Sequence, residues 1–166
     1  MPMIQILPAR FPAHLDHVRS IFREYSQTLG IDLCFQGFED ELATLPGRYA
    51  EPRGIVLLAW KESEVVACGA IRAIDPEIAE MKRLYVRPAG RGLGLGRQLA
   101  QQLCLLARQT GYRAIRLDTL ASMTAALALY QSMGFRDIPP YNFNPSPDVR
   151  YLELDLTTTP PLPSSP

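Results

Sequence analysis

The sequence predicts an α+β domain with a mixed, mostly antiparallel central sheet of about seven strands, flanked by about four helices. Apolar runs at residues 55–60 and 65–74 lie on either side of the polar turn 61–64, which is typical of an antiparallel hairpin. A strand at 80–86, a helix and a strand at 114–119 follow. A strand–helix–strand unit of this length is a parallel crossover, so both kinds of pairing occur in one sheet.

The remaining elements follow from apolar spacing and from glycines placed to end helices. In chain order they are a strand at 3–7, a helix at 11–29 before Gly30, a short helix within 32–45, a long helix ending at Gly111, a helix opened by Ser122 or Thr124 and ended by Gly134, a short strand at 135–138 and a closing strand at 149–156. Residues 1–156 are therefore expected to form a single domain. Residues 157–166, rich in proline and serine, are expected to be a disordered tail.

Composition argues against several classes of protein. The 17 basic and 17 acidic residues balance, so no charge excess predicts binding to nucleic acid or to an anionic membrane. The three cysteines, Cys34, Cys68 and Cys104, are widely spaced and predict reduced thiols rather than disulfides or metal ligands. No signal peptide is evident and no apolar run approaches the roughly 20 residues of a membrane span. These features predict a cytoplasmic protein that needs no metal.

The stretch 91–97, Arg-Gly-Leu-Gly-Leu-Gly-Arg, joins a predicted strand to a predicted helix. Glycines let the backbone approach a ligand closely, and the free N–H groups of a first helical turn lie at the positive end of the helix dipole. Strand, glycine-rich turn and helix in this order predict a site for a pyrophosphate. A glycine-rich turn that only connects the two elements is the alternative.

Two common nucleotide motifs do not fit this turn. In G-x-G-x-x-G, the third glycine would fall on Leu95 or on Arg97, depending on the starting glycine. The P-loop motif fails as well, because no Gly-Lys-Ser or Gly-Lys-Thr closes the turn. The turn therefore does not predict binding of NAD or ATP.

The pattern R-x-x-G-x-G does fit, with Arg91, Gly94 and Gly96. With the strand Leu84-Tyr85-Val86 before it, the turn resembles the acetyl-CoA signature of the GNAT superfamily of N-acetyltransferases. A second stretch, residues 126–135, is similar to the family's A-x-x-L-Y-x-x-x-G-F ending. The order of elements over residues 3–156 resembles the GNAT fold too, which implies α/β/α layering.

The resemblance implies a co-substrate, acetyl-CoA, and the residues that hold it. The backbone of the glycine turn would bind the pyrophosphate, and the splayed strand before it would pair with the pantetheine arm. A backbone N–H near Tyr85 or Val86 would polarise the thioester oxygen. Met123 stands where the family often has an asparagine, so that contact is absent, or Ser122 or Thr124 takes it over. The implied cofactor-binding residues are Leu84, Tyr85, Val86, Arg91, Gly92, Leu93, Gly94, Leu95, Gly96, Arg97 and Ser122.

Glu80 is the candidate general base. It lies six residues before Val86, where the resembling histone acetyltransferases carry their catalytic glutamate. A buried carboxylate with a raised pKa can remove a proton from the ammonium, usually through a water molecule. The alternative is an ion pair of Glu80 with Lys82 or Arg83 on a solvated face of the sheet.

Tyr130 is the candidate general acid. The departing thiolate resembles that of cysteine, whose pKa is about 8.5, and a phenol with a pKa of about 10 beside it can donate a proton. The alternative is an ordinary core tyrosine on the inward face of its helix. Arg97, similarly, is either a ligand of the pyrophosphate or a solvated residue of the first helical turn.

The acceptor is predicted to be the primary amine of a small molecule, attacked directly in a ternary complex, and a homodimer is a candidate assembly. The family's substrate cleft would be lined by Tyr25, Phe35, Gln36, Phe38, Glu39, Asp40, Tyr141, Asn142, Asn144 and Asp148. Acidic and aromatic residues together suit a cationic amine, although an ordinary surface loop has the same composition. A non-catalytic acyl-CoA sensor and an acetyltransferase of protein lysines or N-termini remain as alternatives.

Overall fold

The computed structural model describes residues 3–29, 37–144 and 146–158. Its strands are β1 Ile4–Pro8, β2 Ile55–Lys61, β3 Glu64–Ala73, β4 Ile78–Val86, β5 Ala114–Leu120, β6 Arg136–Asp137 and β7 Val149–Asp155. Its helices are α1 Leu15–Leu29, α2 Phe38–Thr44, α3 Leu95–Thr110 and α4 Thr124–Ser132. The number, type and order of these elements are those that the sequence predicts.

The seven strands form one mixed sheet in the order β1-β2-β3-β4-β5-β7-β6. Only β4 and β5 pair in parallel, as expected of the crossover through α3, and the other strand pairs are antiparallel. Strand β7 lies between β5 and β6, so β6 forms the edge of the sheet on that side.

Each face of the sheet carries its own apolar core. Under α3 and α4, the core includes Leu99, Leu103 and Leu127 with Met81 and Leu117 of the strands. Under α1 and α2, it includes Ile21, Phe22, Leu42 and the strand residues Cys68 and Ala70. Because strand side chains alternate between faces, this division assigns every strand residue near the centre of the sheet to one side or the other. The two cores confirm the α/β/α layering.

Two helix starts differ from the sequence prediction. The first helix begins at Leu15, not at residue 11, since residues 11–14 form a turn and Phe11, the residue before Pro12, is disfavoured in the helical conformation. The fourth helix has Met123 at its N-cap without a side-chain hydrogen bond, so the prediction that Ser122 or Thr124 caps it is wrong. The hydroxyl of Thr119 instead donates to the sulfur of Met123 at 3.7 Å, which ties the helix start to the end of β5.

A bulge distorts the pairing of β3 with β4. The register shifts between Cys68 and Ala70, and Arg83 opposite has a φ of +62°. Gly69 lies at this bulge, and a Cβ atom there would come within 2.9 Å of the Leu103 side chain. A glycine is therefore needed where β3 passes beneath α3.

Several sequence predictions fall partly or wholly outside the described residues. They concern the Gly30 cap, the state of Cys34 and most of the predicted tail, residues 159–166. Cys68 and Cys104 are free and buried, and burial raises the pKa of both thiols. Within the described ranges, no helix combines the length and apolarity that crossing a membrane requires.

Candidate active site

A gap opens between β4 and β5 in the middle of the sheet. The two strands pair only where Ile78–Glu80 face Ala114–Arg116, and beyond that point they diverge. A cavity of about 90 Å³ lies in the gap, lined by both strands and by α1 and α4. The sequence places the splay near residues 84–86, whereas the structure begins it directly after Glu80.

The glycine turn lies at the start of α3, on the sheet face that carries α3 and α4. Gly94 is the N-cap of α3 with a φ of +70°, and Gly92 has a φ of +79°, both in the region that favours glycine. No other atom lies within 4 Å of the position that a Cβ of Gly92 would occupy. The first turn of α3 holds no acidic residue. An open backbone cradle at the positive end of a 16-residue helix fits a pyrophosphate.

The other residues of the turn divide between the core and the surface. Leu95 is buried with 1% of its surface exposed, so its side chain packs in the core and only its backbone faces the turn. Leu93 and Arg91 are exposed. A Cβ on Gly96 would lie 3.9 Å from both Leu129 and Val86, where α3, α4 and β4 approach one another.

The exposed side chain of Arg97 forms a hydrogen bond with α4. Its guanidinium donates to the Ser132 hydroxyl at 2.9 Å, and that hydroxyl donates to the carbonyl of Leu129. The contact joins the first turn of α3 to the last turn of α4 and holds a positive charge beside the glycine turn. Its role toward the co-substrate stays a prediction.

Beyond Glu80, one edge of β4 is left without a strand partner among the described residues. Tyr85 and Val86 pair with Cys68 and Ala67 of β3 on the other edge. The Tyr85 side chain points to α1, where its hydroxyl donates to Glu24 at 2.7 Å. The backbone edge that faces the gap is therefore available to pair with an extended amide, as a pantetheine arm requires.

Glu80 is buried, with 3% of its surface exposed. Its Oε1 accepts a hydrogen bond from Arg72 Nε at 3.0 Å, and its Oε2 accepts one from the Tyr141 hydroxyl at 2.8 Å. The cross-strand ion pair predicted as the alternative exists, but its partner is Arg72 and its surroundings are dry rather than solvated. The ion pair and a catalytic role are compatible, because Tyr141 gives Glu80 a hydrogen-bonded route for a proton.

Further buried charges surround Glu80 on the face of α1 and α2. Glu41 of α2 accepts hydrogen bonds from Arg83 Nε and from the terminal nitrogen Nη2 of Arg83, and lies 3.7 Å from Arg72. Lys82 Nζ lies 3.6 Å from Asp118 Oδ1. Burial lowers the pKa of Lys82, and the nearby carboxylates of Glu80 and Asp118 oppose that shift.

Tyr130 lines the cavity with 6% of its surface exposed. Its ring packs against Phe135 with the centroids 5.5 Å apart, and no hydrogen bond joins its hydroxyl to another described residue. Burial raises the pKa of Tyr130 above its ordinary value, with Tyr25, Cys104 and Asp118 adding to the shift. The phenol is protonated at neutral pH, as a general acid must be, and the upward shift makes it a weaker acid than an exposed tyrosine. The core packing predicted as the alternative is also present.

Sequence reasoning missed Asp118, which lines the same cavity from β5. Its side chain is 9% exposed, and its Oδ2 atom is buried with no hydrogen-bond partner in the described part of the chain. Burial is the largest cause of a raised pKa in Tyr25, Tyr130, Tyr141 and Tyr151, and the charge of Asp118 adds to the shift in all four. Only its position on the strand that diverges from β4 could have drawn attention to Asp118 in the sequence.

Ser122 is exposed in the turn after β5 and does not line the cavity, whereas Met123 and Ala126 do. The predicted contact of Ser122 with the pantetheine stays a prediction, and the structure favours apolar contact by Met123 at this point.

The residues predicted to line the acceptor side are only partly brought together. Tyr25 and Asn144 line the cavity, and Tyr141 reaches Glu80. Phe38 is buried under the Arg83 guanidinium. Four of the predicted residues do not line the cavity: Glu39, Asp40, Asn142 and Asp148. Two more, Phe35 and Gln36, lie outside the described residues.

Comparison with known proteins agrees with this geometry. Residues 15–135 match the family described as Acetyltransferase (GNAT) family. An uncharacterized N-acetyltransferase of Schizosaccharomyces pombe is 40% identical over 156 residues, covering 93% of this chain and 96% of the yeast protein. The uncharacterized N-acetyltransferase YjgM of Escherichia coli is 32% identical, covering 76% of this chain and 77% of its own.

Solved structures have the same fold. A GNAT-family acetyltransferase of Staphylococcus aureus superposes with a TM-score of 0.76 at 19% identity, covering 93% of this chain and 99% of that one. The acetyltransferase yncA of Salmonella typhimurium, solved with acetyl-CoA, superposes with a TM-score of 0.71 at 20% identity, covering 98% and 99% of the two chains. The chain belongs to the GNAT family of acetyltransferases, and it is an acyltransferase enzyme.

Proposed function

We propose that this enzyme transfers the acetyl group of acetyl-CoA to the primary amine of a small molecule, by direct attack in a ternary complex. The observation that carries the proposal is the gap between β4 and β5. The glycine turn lies on one side of the sheet and buried carboxylates lie on the other, so donor and acceptor meet in the gap. The presence of acetyl-CoA in the Salmonella structure supports the choice of donor.

The residues that would hold acetyl-CoA fit that molecule. Backbone N–H groups of residues 91–97 bind the pyrophosphate, and the unpaired edge of β4 at residues 84–86 binds the pantetheine amides. A backbone N–H of Tyr85 or Val86 donates to the thioester oxygen as negative charge develops on it. Once bound, acetyl-CoA supplies an acetyl group activated by its thiol leaving group.

Two side chains carry the proton transfers in this proposal. Glu80 accepts the proton of the acceptor's ammonium, relayed by the Tyr141 hydroxyl or by a water, and the neutral amine then attacks the acetyl carbon. A carbon–nitrogen bond forms and the carbon–sulfur bond breaks. Tyr130 donates its proton to the departing thiolate, and the amide nitrogen gives up its second proton, through water, to the tyrosinate as the intermediate collapses, while Glu80 releases its proton to solvent. The amide and the free thiol are the products.

The volume of the cavity and the net charge of the chain support a small acceptor. About 90 Å³ accommodates only a few water molecules, or the reactive end of a slender amine. The 17 positive and 17 negative residues balance, so the chain has no net negative charge that would attract a basic protein tail.

A thermal-shift titration with acetyl-CoA, followed by thiol release against a panel of primary amines, tests the proposal. A stabilising shift with thiol release from one class of small amine supports it. A shift without release from any amine favours a non-catalytic sensor of acyl-CoA, and release only with peptides favours a protein acetyltransferase. Absence of a shift contradicts the assignment of the glycine turn.

A further inference from the structure

We infer that Asp118 is the specificity residue of the acceptor site, and that its Oδ2 receives the acceptor as a cationic primary ammonium on a slender, unbranched stem. The inference rests on the proposed function and deepens it. It assigns a role to a side chain that the mechanism above does not use.

The first argument is the unmet hydrogen bonding of the carboxylate. Among the described residues, Oδ2 of Asp118 is buried without a hydrogen-bond partner, and Oδ1 has Lys82 Nζ at 3.6 Å, beyond the length of a charge-assisted hydrogen bond. A buried carboxylate oxygen without a donor is costly, and proteins rarely retain one without a use for it. The missing partner is therefore a donor that arrives from outside the chain.

The second argument is the face of the sheet on which Asp118 lies. Its neighbour Leu117 and the facing Met81 pack in the core under α3 and α4. Because strand side chains alternate, Asp118 points to the opposite face, where Tyr25 and Leu29 of α1 line the cavity. The glycine turn, which would bind the donor, begins α3 on the other face. Asp118 therefore meets the acceptor.

The third argument is charge. An aliphatic amine has a pKa like that of lysine, about 10.4, and reaches the enzyme as an ammonium at neutral pH. Each nearby carboxylate except Asp118 already has its hydrogen bonds, Glu80 from Arg72 and Tyr141, and Glu41 from Arg83. The unbonded oxygen of Asp118 complements the ammonium.

The fourth argument is shape. On the face of α1, the cavity of about 90 Å³ is bounded by Tyr25 and Leu29 beside the charged groups. An unbranched methylene stem fills such a space, with its charge at one end and its apolar length against these side chains.

The test compares n-butylamine with n-butanol, a pair of similar shape that differs in charge. NMR titrations of wild-type protein in the presence of CoA are expected to show about tenfold or stronger preference for the amine, because a charge-assisted hydrogen bond is lost with the alcohol. Asp118→Asn, similar in size and neutral, is expected to abolish the preference. Asp118→Glu keeps the charge and is expected to retain part of it.

Asp137→Asn is the control, since it removes the carboxylate of an exposed ion pair with Arg150 on the same sheet. It is expected to keep the wild-type preference. A thermal shift with acetyl-CoA checks that every variant folds and binds the donor.

Two results overturn the inference: wild-type protein with no preference for the amine, or Asp118→Asn with an unchanged preference. Thiol release is measured separately with n-butylamine and with the amine panel. A preference that depends on Asp118 without thiol release from any amine keeps the ammonium site and removes the transferase function. Thiol release without that preference removes the site and keeps the function.

Discussion

The two sides of the sheet build their halves of the site in different ways. The glycine turn of α3 uses backbone N–H groups and two glycines with positive φ from one continuous stretch, 91–97. The opposite face uses side chains from separate elements: Asp118 of β5 lines the gap, and Glu80 of β4 and Glu41 of α2 share the Arg72 guanidinium nearby. The difference suggests that donor binding depends on local backbone shape, whereas acceptor binding depends on the whole fold.

The largest expected effect tests the backbone side. Gly94→Glu places a carboxylate where the pyrophosphate binds and is expected to lower acetyl-CoA affinity about a hundredfold or more, measured by calorimetric titration. The φ of +70° also costs the variant about 1 kcal/mol of stability. Gly111→Glu is the matched control, because Gly111 has a φ of +104° at the other end of α3. Retained affinity in Gly94→Glu would remove the turn from the donor site.

The next effect tests the side-chain half. Glu80→Gln keeps the shape of the side chain but cannot take up a proton, so kcat is expected to fall about a hundredfold while acetyl-CoA affinity stays unchanged. Steady-state kinetics and calorimetry measure the two quantities. Glu153→Gln is the control, because Glu153 pairs with Arg116 on the same sheet away from the cavity. A fall in kcat equal to that of the control argues against Glu80 as the base.

Tyr130 lies where the two halves meet. Tyr130→Phe removes the hydroxyl and keeps the ring against Phe135, so kcat is expected to fall about tenfold to a hundredfold at unchanged acetyl-CoA affinity. Tyr112→Phe is the control, as Tyr112 is a buried tyrosine whose hydroxyl donates to the Arg53 carbonyl. An unchanged rate in Tyr130→Phe would leave that residue with packing alone.

The smallest effect concerns the cation beside the glycine turn. Arg97→Ala is expected to raise the KM for acetyl-CoA about threefold, since exposed charge contacts contribute no more than about 1 kcal/mol. Ser132→Ala frees the same guanidinium from its hydrogen bond and is expected to leave KM unchanged. Equal rises in both variants would mean that the contact between α3 and α4 matters, rather than the charge.

The sequence predicted the glycine turn between β4 and α3 because such a turn is a local feature, while its role in donor binding stays a prediction. Arg91, Gly94 and Gly96 lie within six residues, and the turn they form is decided by neighbouring φ and ψ angles. The order of strands and helices was equally accessible, because apolar spacing and helix-ending glycines are properties of short windows.

The acceptor side was predicted less well because its contacts join distant parts of the chain. Nothing near Glu80 indicates that Tyr141 donates to it from 61 residues away, and Glu41 meets Arg83 across 42 residues. Asp118 was missed since an aspartate within an otherwise ordinary strand carries no signal until the fold shows that its oxygen lacks a partner. The prediction of a polar N-cap for α4 also failed, because Met123 occupies that position.

Strands β4 and β5 pair over only three residues each, so the sheet consists of two parts, β1–β4 and β5–β7, with few hydrogen bonds between them. Under the proposed function, a donor bound in the gap would form amide hydrogen bonds with the open edge of β4 and would add contacts between the two parts of the sheet. Its binding energy then adds to the resistance of the whole sheet to unfolding, growing with the logarithm of donor concentration. The sheet would thus resist unfolding most when acetyl-CoA is bound and least after CoA has dissociated.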